Sequence, residues 1–324
     1  MFALELGFGH SIIARPVLKW AGGKGQLLSE INARLPEKMK SGEVKRYIEP
    51  FVGGGAVFFG LIRQYDFDEI FLFDINPELV ILYNVIKNNV QPLISELGKI
   101  NEQYFSLTDR TKYYYELRDE YNSFPKQINA NMFFSDFVRR AALTIFLNRT
   151  CFNGLFRVNN QNKFNVPVGS YKNPKILDSK NLLAVSHALK KATIKQADFA
   201  AALEYADSDT FIYYDPPYRP IRKTSNFNSY AAESFSDTEQ MRLKDVFAQA
   251  HARGAIQMLS NSDPTNYTND LFFDELYAGF NIQRVMAKRR INSNAAGRFA
   301  IRELLITNYF EYIPLNKFNL PVPK

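Results

Sequence analysis

A short apolar strand, a run of three glycines, a helix and a second strand ending in an acid constrain this chain more than any other feature. Tyr47-Ile48-Glu49-Pro50-Phe51 reads as the first strand and runs into Gly53-Gly54-Gly55. A helical pattern follows from 56 to about 64, and Glu69-Ile70-Phe71-Leu72-Phe73 is the next strand, closed by Asp74. Parallel strands need a long crossover, and a helix supplies it, so this succession predicts a βαβ unit and a parallel sheet. Phe211-Ile212-Tyr213-Tyr214 and the stretch 255–260 are further apolar runs of strand length. Two late strands, near 280–285 and 303–308, are predicted to form a hairpin at a sheet edge. Ser236-Asp237-Thr238-Glu239 offers caps for a helix through Met241, Leu243, Val246 and Phe247.

Between these parts the pattern changes. Helical patterns rich in Tyr, Phe and charge run from about Leu82 to Leu147, and a polar, Asn-rich stretch with few helix formers occupies 148–174. The fold class expected is α/β, with a catalytic part over 1–82 and 191–324 and a mainly helical insertion over 83–190.

Asp215-Pro216-Pro217-Tyr218 ends the strand at Phe211 abruptly. Prolines carry no backbone donor and fix φ, so the Asp215 carboxylate and nearby carbonyls remain as acceptors, with the flat ring of Tyr218 beside them. Acceptors plus a ring suit the exocyclic amino group of a nucleobase. The same residues also read as a strand closed by a Pro-Pro turn.

Composition narrows the partners. There is no run of about 18 apolar residues, so no membrane span is expected. The first residues carry an acid early and no basic segment, so a secretory signal is not expected, and the cytoplasm is the expected location. Cys151 is the single cysteine and the three histidines are scattered, so neither an internal disulfide nor a Cys/His metal site is expected. The net charge of +7 favours a polyanionic partner. It is concentrated: 149–175 holds five basic residues and no acid, and 284–302 holds six and none. Such stretches look like surfaces for phosphate.

Glycines at a strand-to-helix turn let a ligand approach the backbone, and an acid at the end of the next strand can accept bonds from ribose hydroxyls. Asp74 stands nineteen residues after Gly55. A packing turn with a capping Asp is the alternative. Gly-x-x-x-x-Gly-Lys-Ser/Thr is absent around Lys24, and Gly-x-Gly-x-x-Gly is absent around Gly53. A cofactor with ribose and amino-acid parts suits the pattern, and S-adenosylmethionine has both. Trp20 would pack against it, and Lys24 would meet its carboxylate.

Lys19-Trp20-Ala21-Gly22-Gly23-Lys24, Glu49-Pro50-Phe51-Val52-Gly53-Gly54-Gly55, Asp74-Ile75-Asn76, Asn153-Gly154-Leu155-Phe156-Arg157, Phe164-Asn165-Val166-Pro167 and Asp215-Pro216-Pro217-Tyr218 stand in one order. In that order they resemble the Dam-type (D12 class) DNA adenine-N6 methyltransferases, closest to GATC-specific restriction–modification members. The resemblance spans about Pro16 to Asn308. It implies a Rossmann-like, S-adenosylmethionine-dependent sheet of seven strands, one antiparallel, with an inserted target-recognition domain. By position it implies that Trp20, Lys24, Phe51, Gly53, Gly55, Asp74, Asp198 and Asp215 serve the cofactor, and that Asp215, Pro216 and Tyr218 serve the target base. Lys19 and Arg157 match positions that read guanines, Leu155 and Pro167 positions that contact inner base pairs, and Asn153 and Tyr171 residues inserted near the vacated stack. Residues 1–14 carry no motif, and Val158 and the 159–162 tract depart from some relatives.

The reaction implied is methylation of adenine N6 in duplex DNA, with the base rotated out of the helix because pairing hides its amino nitrogen. Lys172, Lys175, Arg222, Lys288, Arg289, Arg290 and Arg298 are candidates for phosphate contacts. A monomer is expected, with a cognate restriction endonuclease as a partner that acts on the same site without a stable complex. The rival readings are a non-catalytic DNA-binding module and a methyltransferase for RNA or a protein amide.

Overall fold

The computed structural model describes residues 3–5, 11–125, 128–219, 235–266, 268–287 and 301–310. Its strands are β1 (Ala3–Glu5), β2 (Ser11–Ile13), β3 (Arg46–Glu49), β4 (Glu69–Asp74), β5 (Ala192–Gln196), β6 (Thr210–Tyr214), β7 (Ile256–Ser262), β8 (Asn281–Ala287) and β9 (Ile301–Thr307). Its helices are α1 (Leu28–Ala33), α2 (Glu37–Lys40), α3 (Ala56–Leu61), α4 (Pro77–Asn88), α5 (Val90–Ser106), α6 (Arg110–Ser123), α7 (Phe137–Thr150), α8 (Ser179–Ala188), α9 (Asp237–Ala252) and α10 (Phe272–Leu276). None of these helices is long and apolar enough to cross a membrane.

β1 and β2 pair antiparallel, and the other seven strands form one sheet in the order β5-β4-β3-β6-β7-β9-β8. The β3–β4, β4–β5 and β6–β7 pairs are parallel. β9 runs antiparallel to both β7 and β8. The late hairpin is therefore present, with the reversed strand one place in from the edge. The fold is a Rossmann-like, mostly parallel α/β sheet.

The chain divides into two compact units, one of 1–25 with 45–205 and one of 26–44 with 206–324. In the first, Phe71, Leu72 and Phe73 of β4 are buried, as are seven residues of α4. Each such side chain contributes roughly 1.5–3 kcal/mol when fully buried. Asn76 caps α4 by accepting the Glu78 N–H at 3.0 Å, and Pro77 suits the first helical position. Arg140 of the buried α7 donates through both Nε and Nη2 to the Glu78 carboxylate, and through Nη1 to the Pro125 carbonyl. This ion pair pins the start of α4, just after Asp74. Removing either partner would strand a buried charge.

In the second unit β6 is buried along its whole length, which explains its unbroken apolar sequence. The Asp263 carboxylate has no solvent exposure and is met by Arg284 at 3.1 Å and Arg302 at 3.4 Å. Arg34, which follows α1, donates to Gln283 of β8 at 2.7 Å, and Tyr309 donates to the Arg34 carbonyl at 3.1 Å.

Three sequence expectations change. β5 is not signalled by the sequence, because Thr193, Lys195 and Gln196 dilute its apolar content. Asn148 lies in the last turn of α7 rather than in a loop. The basic stretches are partly engaged inside the fold: Arg149 donates to the Val17 carbonyl, Lys175 pairs with Asp178, and Arg284 and Arg302 pair with Asp263. Arg222, Lys288, Arg289, Arg290 and Arg298 lie outside the described residues.

Candidate active site and nucleic-acid interface

The chain leaves β3 through Pro50 and Phe51, and the Val52 N–H donates to the Phe73 carbonyl at 3.0 Å. Gly53 and Gly55 have φ of +48° and +71°, a region that favours glycine. The Gly53 N–H donates to Asp74 Oδ2 at 3.0 Å, the Asn76 N–H donates to Oδ1 at 2.9 Å, and the Tyr83 hydroxyl donates to the Gly53 carbonyl at 3.0 Å. A Cβ on Gly54 would stand 2.9 Å from the Trp20 Cβ, so the turn is packed against the tryptophan. The Ala197 N–H donates to the Asp74 carbonyl at 3.3 Å, which brings the next residue, Asp198, to the same end of the sheet. Phe51 stacks on Phe199 with centroids 5.5 Å apart. Trp20, Phe51, Gly53, Gly55, Asp74 and Asp198 are thus gathered at one place. Lys24 is buried, with its ammonium on the Gly22 carbonyl at 2.6 Å.

Burial pushes the Asp74 carboxyl up to about 6, and the amides of Asn76, Gly53 and Ile75 hold it back from rising further. The turn is costly to alter. A Cβ on Gly55 would lie 2.9 Å from the Phe59 ring and 3.1 Å from the Tyr83 hydroxyl. Gly55→Ala is expected to destabilise the fold by about 1–3 kcal/mol, measured as a lower denaturant midpoint. An unchanged midpoint would mean that the turn relaxes freely.

A second cluster in the same unit is built around Asn148. Its side chain accepts the Lys19 N–H at 2.8 Å and donates to the carbonyls of Lys19 and Gly154 at 2.8 and 2.9 Å. Lys19 Nζ lies 4.8 Å from the Tyr171 ring centroid. Gly154 and Gly169 permit the close approach, since a Cβ would meet Lys19 Cδ at 2.5 Å and the Tyr171 ring at 2.6 Å. Asn153 is exposed with φ of 56°, in the left-handed region that Asn tolerates. The Phe152 N–H donates to the Pro167 carbonyl at 2.9 Å, and Leu155 follows half-buried. Arg157 is exposed and donates through Nε to Asn165 Oδ1 at 2.9 Å. Lys19, Asn153, Leu155, Pro167 and Tyr171 therefore lie on or beside the turn that Asn148 holds, Arg157 follows two residues after Leu155 against Asn165, and Lys172 is exposed. Cys151 is buried and its thiol is pushed up to about 11 by burial, which makes it packing rather than a nucleophile.

In the second unit, Asp215 directly follows β6. The Ser260 hydroxyl donates to Asp215 Oδ1 at 3.1 Å. Gln240 Nε2 donates to the Pro217 carbonyl at 3.3 Å. The Tyr218 hydroxyl donates to Glu303 Oε2 at 2.6 Å, which fixes the ring, and burial, then Asp215 and Glu303, hold that phenol well above its usual range. Pro216 is buried between them. Asn148, Ser260 and Glu303 carry these clusters but give no local signal, because each acts across a long sequence separation.

The profile of the D12 class N6 adenine-specific DNA methyltransferases matches residues 20–291. The chain is similar to the Type II methyltransferase M.MjaIII of Methanocaldococcus jannaschii, 49% identical over 91% of this chain and 99% of that protein. It is also similar to the Type II methyltransferase M1.LlaDCHI of Lactococcus lactis, 38% identical over 93% and 97% of the two chains. A DNA adenine methylase of Haemophilus influenzae is 35% identical over 90% and 92%. The glycine turn with its acid, the Asp-Pro-Pro-Tyr end of β6 and a match over most of the length agree: the chain belongs to the D12 class of N6 adenine-specific DNA methyltransferases.

Proposed function

We propose that this adenine-specific DNA methyltransferase acts at GATC in duplex DNA, on an adenine turned out of the helix. One observation carries the reading: an acid fixed at the end of a buried strand, followed by two prolines and an anchored tyrosine. Asp215 and the Pro216 carbonyl accept the two hydrogens of adenine N6. That draws the nitrogen towards sp³ geometry and frees a lone pair otherwise delocalised into the ring. Tyr218 stacks on the base, a contact worth roughly 1–3 kcal/mol in single-strand binders. Asp215 need not be a strong base, since the N6 proton becomes acidic only after transfer and can leave to water.

The methyl donor of the class is S-adenosylmethionine, which supplies a methyl group already activated on a sulfonium sulfur. The residues present fit it. The Asp74 oxygens accept the Gly53 and Asn76 amides and have acceptor capacity left for a ribose hydroxyl. Trp20, Phe51, Gly53 and Gly55 shape the turn, and Asp198 and Lys24 serve the adenine end and the carboxylate. An ionised carboxylate is the stronger acceptor, so cofactor affinity is expected to fall as pH drops through about 6, where Asp74 gains its proton. Calorimetry across that range checks this. Asp74→Asn should bind weakly with no such limb, and an unchanged limb would move the titration elsewhere.

Lys19 and Arg157 read guanines, Leu155 and Pro167 touch the inner pairs, and Asn153 and Tyr171 enter the vacated stack. The segment 83–190 is the target-recognition part. The relatives named Type II methyltransferases favour a restriction–modification role, with a nuclease acting on the same site without a stable complex. The protein works as a monomer on cytoplasmic DNA. Labelled S-adenosylmethionine offered with DNA, RNA and protein, followed by mapping of modified adenines in DNA from an expressing cell, tests the reading. Methylation of RNA or protein, or of adenines outside GATC, would overturn it.

A further inference from the structure

We propose that Ser260 is a positioning residue for Asp215, holding the carboxylate through a buried hydrogen-bond chain that starts at Tyr213; this rests on the reading of Asp215 given above. The end of β7 presents three successive polar side chains to the segment after β6. Ser260 Oγ donates to Asp215 Oδ1 at 3.1 Å. Asn261 Nδ2 donates to Gln240 Oε1 at 3.2 Å, and Gln240 in turn donates to the Pro217 carbonyl at 3.3 Å. Ser262 Oγ donates to the Arg219 carbonyl at 3.1 Å.

Ser260, Asn261 and Gln240 have no solvent exposure. A buried hydroxyl costs stability unless it is bonded, and Met258 and Leu259 show that the same strand accepts apolar residues. The bonds of Ser260 are directional. The buried Tyr213 hydroxyl donates to Ser260 Oγ at 2.9 Å, which fills an acceptor position and leaves the serine one hydrogen to give. Two acceptors compete for it, Asp215 Oδ1 at 3.1 Å and the Tyr214 carbonyl at 3.4 Å. The carboxylate is both nearer and charged, so it takes the bond. Donation from Tyr213 strengthens the serine as a donor. An Asp carboxylate turns broadly about its last torsion. With Oδ1 tied to a buried strand, Asp215 presents its acceptor already aimed, which lowers the cost of reaching the reactive arrangement.

The full chain is assayed with duplex DNA and S-adenosylmethionine. Ser260→Ala is expected to lower kcat by roughly 10- to 30-fold, with KM for DNA and for the methyl donor changed by less than about threefold. Ser260→Thr, which keeps the hydroxyl on a side chain suited to a strand, should restore most of the turnover. In an Asp215→Asn background, Ser260→Ala should have no further effect, as residues that act through each other are not additive. An equal loss in that background, or failure of Ser260→Thr to rescue, would make Ser260 merely structural. Parental kcat in Ser260→Ala beside an Asp215→Asn of strongly lowered but measurable kcat would overturn this inference alone. Parental kcat in Asp215→Asn would overturn the reading of Asp215 and the inference with it. If Ser260→Ala does not fold, Tyr213→Phe takes its place. It keeps Ser260 and the ring, and is expected to lower kcat by about threefold at unchanged KM, whereas parental kcat would overturn the chain.

Discussion

Asp215→Ala is expected to lower methyl transfer by roughly 10³-fold, the scale set by removing one fixed polar contact to a reacting group, while affinity for DNA survives. The two effects separate because of where the residue sits. Asp215 follows a fully buried strand, and its carboxylate is held by Ser260. Of the residues assigned to the duplex, Lys19 is held by Asn148 and meets Tyr171, and Arg157 is held by Asn165. Loss of the carboxylate removes an acceptor for adenine N6 and leaves those contacts intact. Single-turnover methylation measures the first quantity, and titration of labelled duplex measures the second. Near-parental turnover would remove Asp215 from the mechanism. A parallel loss of DNA affinity would mean that the carboxylate shapes the duplex-binding surface instead.

Much of this arrangement is legible before any coordinates. The Gly53–Asp74 bond joins a strand-to-helix turn to the end of the next strand, and in a βαβ unit those two places are neighbours. The Asp-Pro-Pro-Tyr end of β6 is likewise local, so its residue types and strand context suffice. What stays hidden depends on partners far away in the chain. Asn148 reads as one polar residue among many, yet it bonds Lys19, 129 positions away. Glu303 stands at the end of a basic stretch and is 85 positions from the tyrosine whose hydroxyl it accepts. The acid-free stretches mislead for the same reason. Counting charges along the sequence cannot show that Asp263 lies between Arg284 and Arg302, or that Arg149 turns inward to the Val17 carbonyl. β5 illustrates a different limit. Five residues carrying Lys195 and Gln196 are too few and too polar for periodicity to mark, and it is the parallel ladder with β4 that makes them a strand.

Arg157→Ala is expected to relax discrimination at one guanine of the site by roughly 5- to 150-fold, the equivalent of about 1–3 kcal/mol for a bidentate contact. The side chain is exposed, but it is not loose. Its Nε donates to Asn165 Oδ1 at 2.9 Å, and the Asn165 N–H returns to the Arg157 carbonyl at 3.2 Å. The flanking Val158 and Phe164 form an antiparallel bridge, and Asn122 holds both the N–H and the carbonyl of Phe164. With Nε engaged, the two terminal nitrogens form the pair that can meet guanine O6 and N7 together. A guanidinium fixed in this way loses little entropy on binding and is sensitive to the spacing of its acceptors. Losing it should therefore penalise the correct base far more than the substituted ones. The measurement is kcat/KM on GATC and on each site with one base pair exchanged, repeated over a range of salt concentrations. A guanine reader gives a selective loss with the salt slope little changed. A phosphate ligand gives a uniform loss on every sequence and a shallower slope, because one fewer counterion is released on binding.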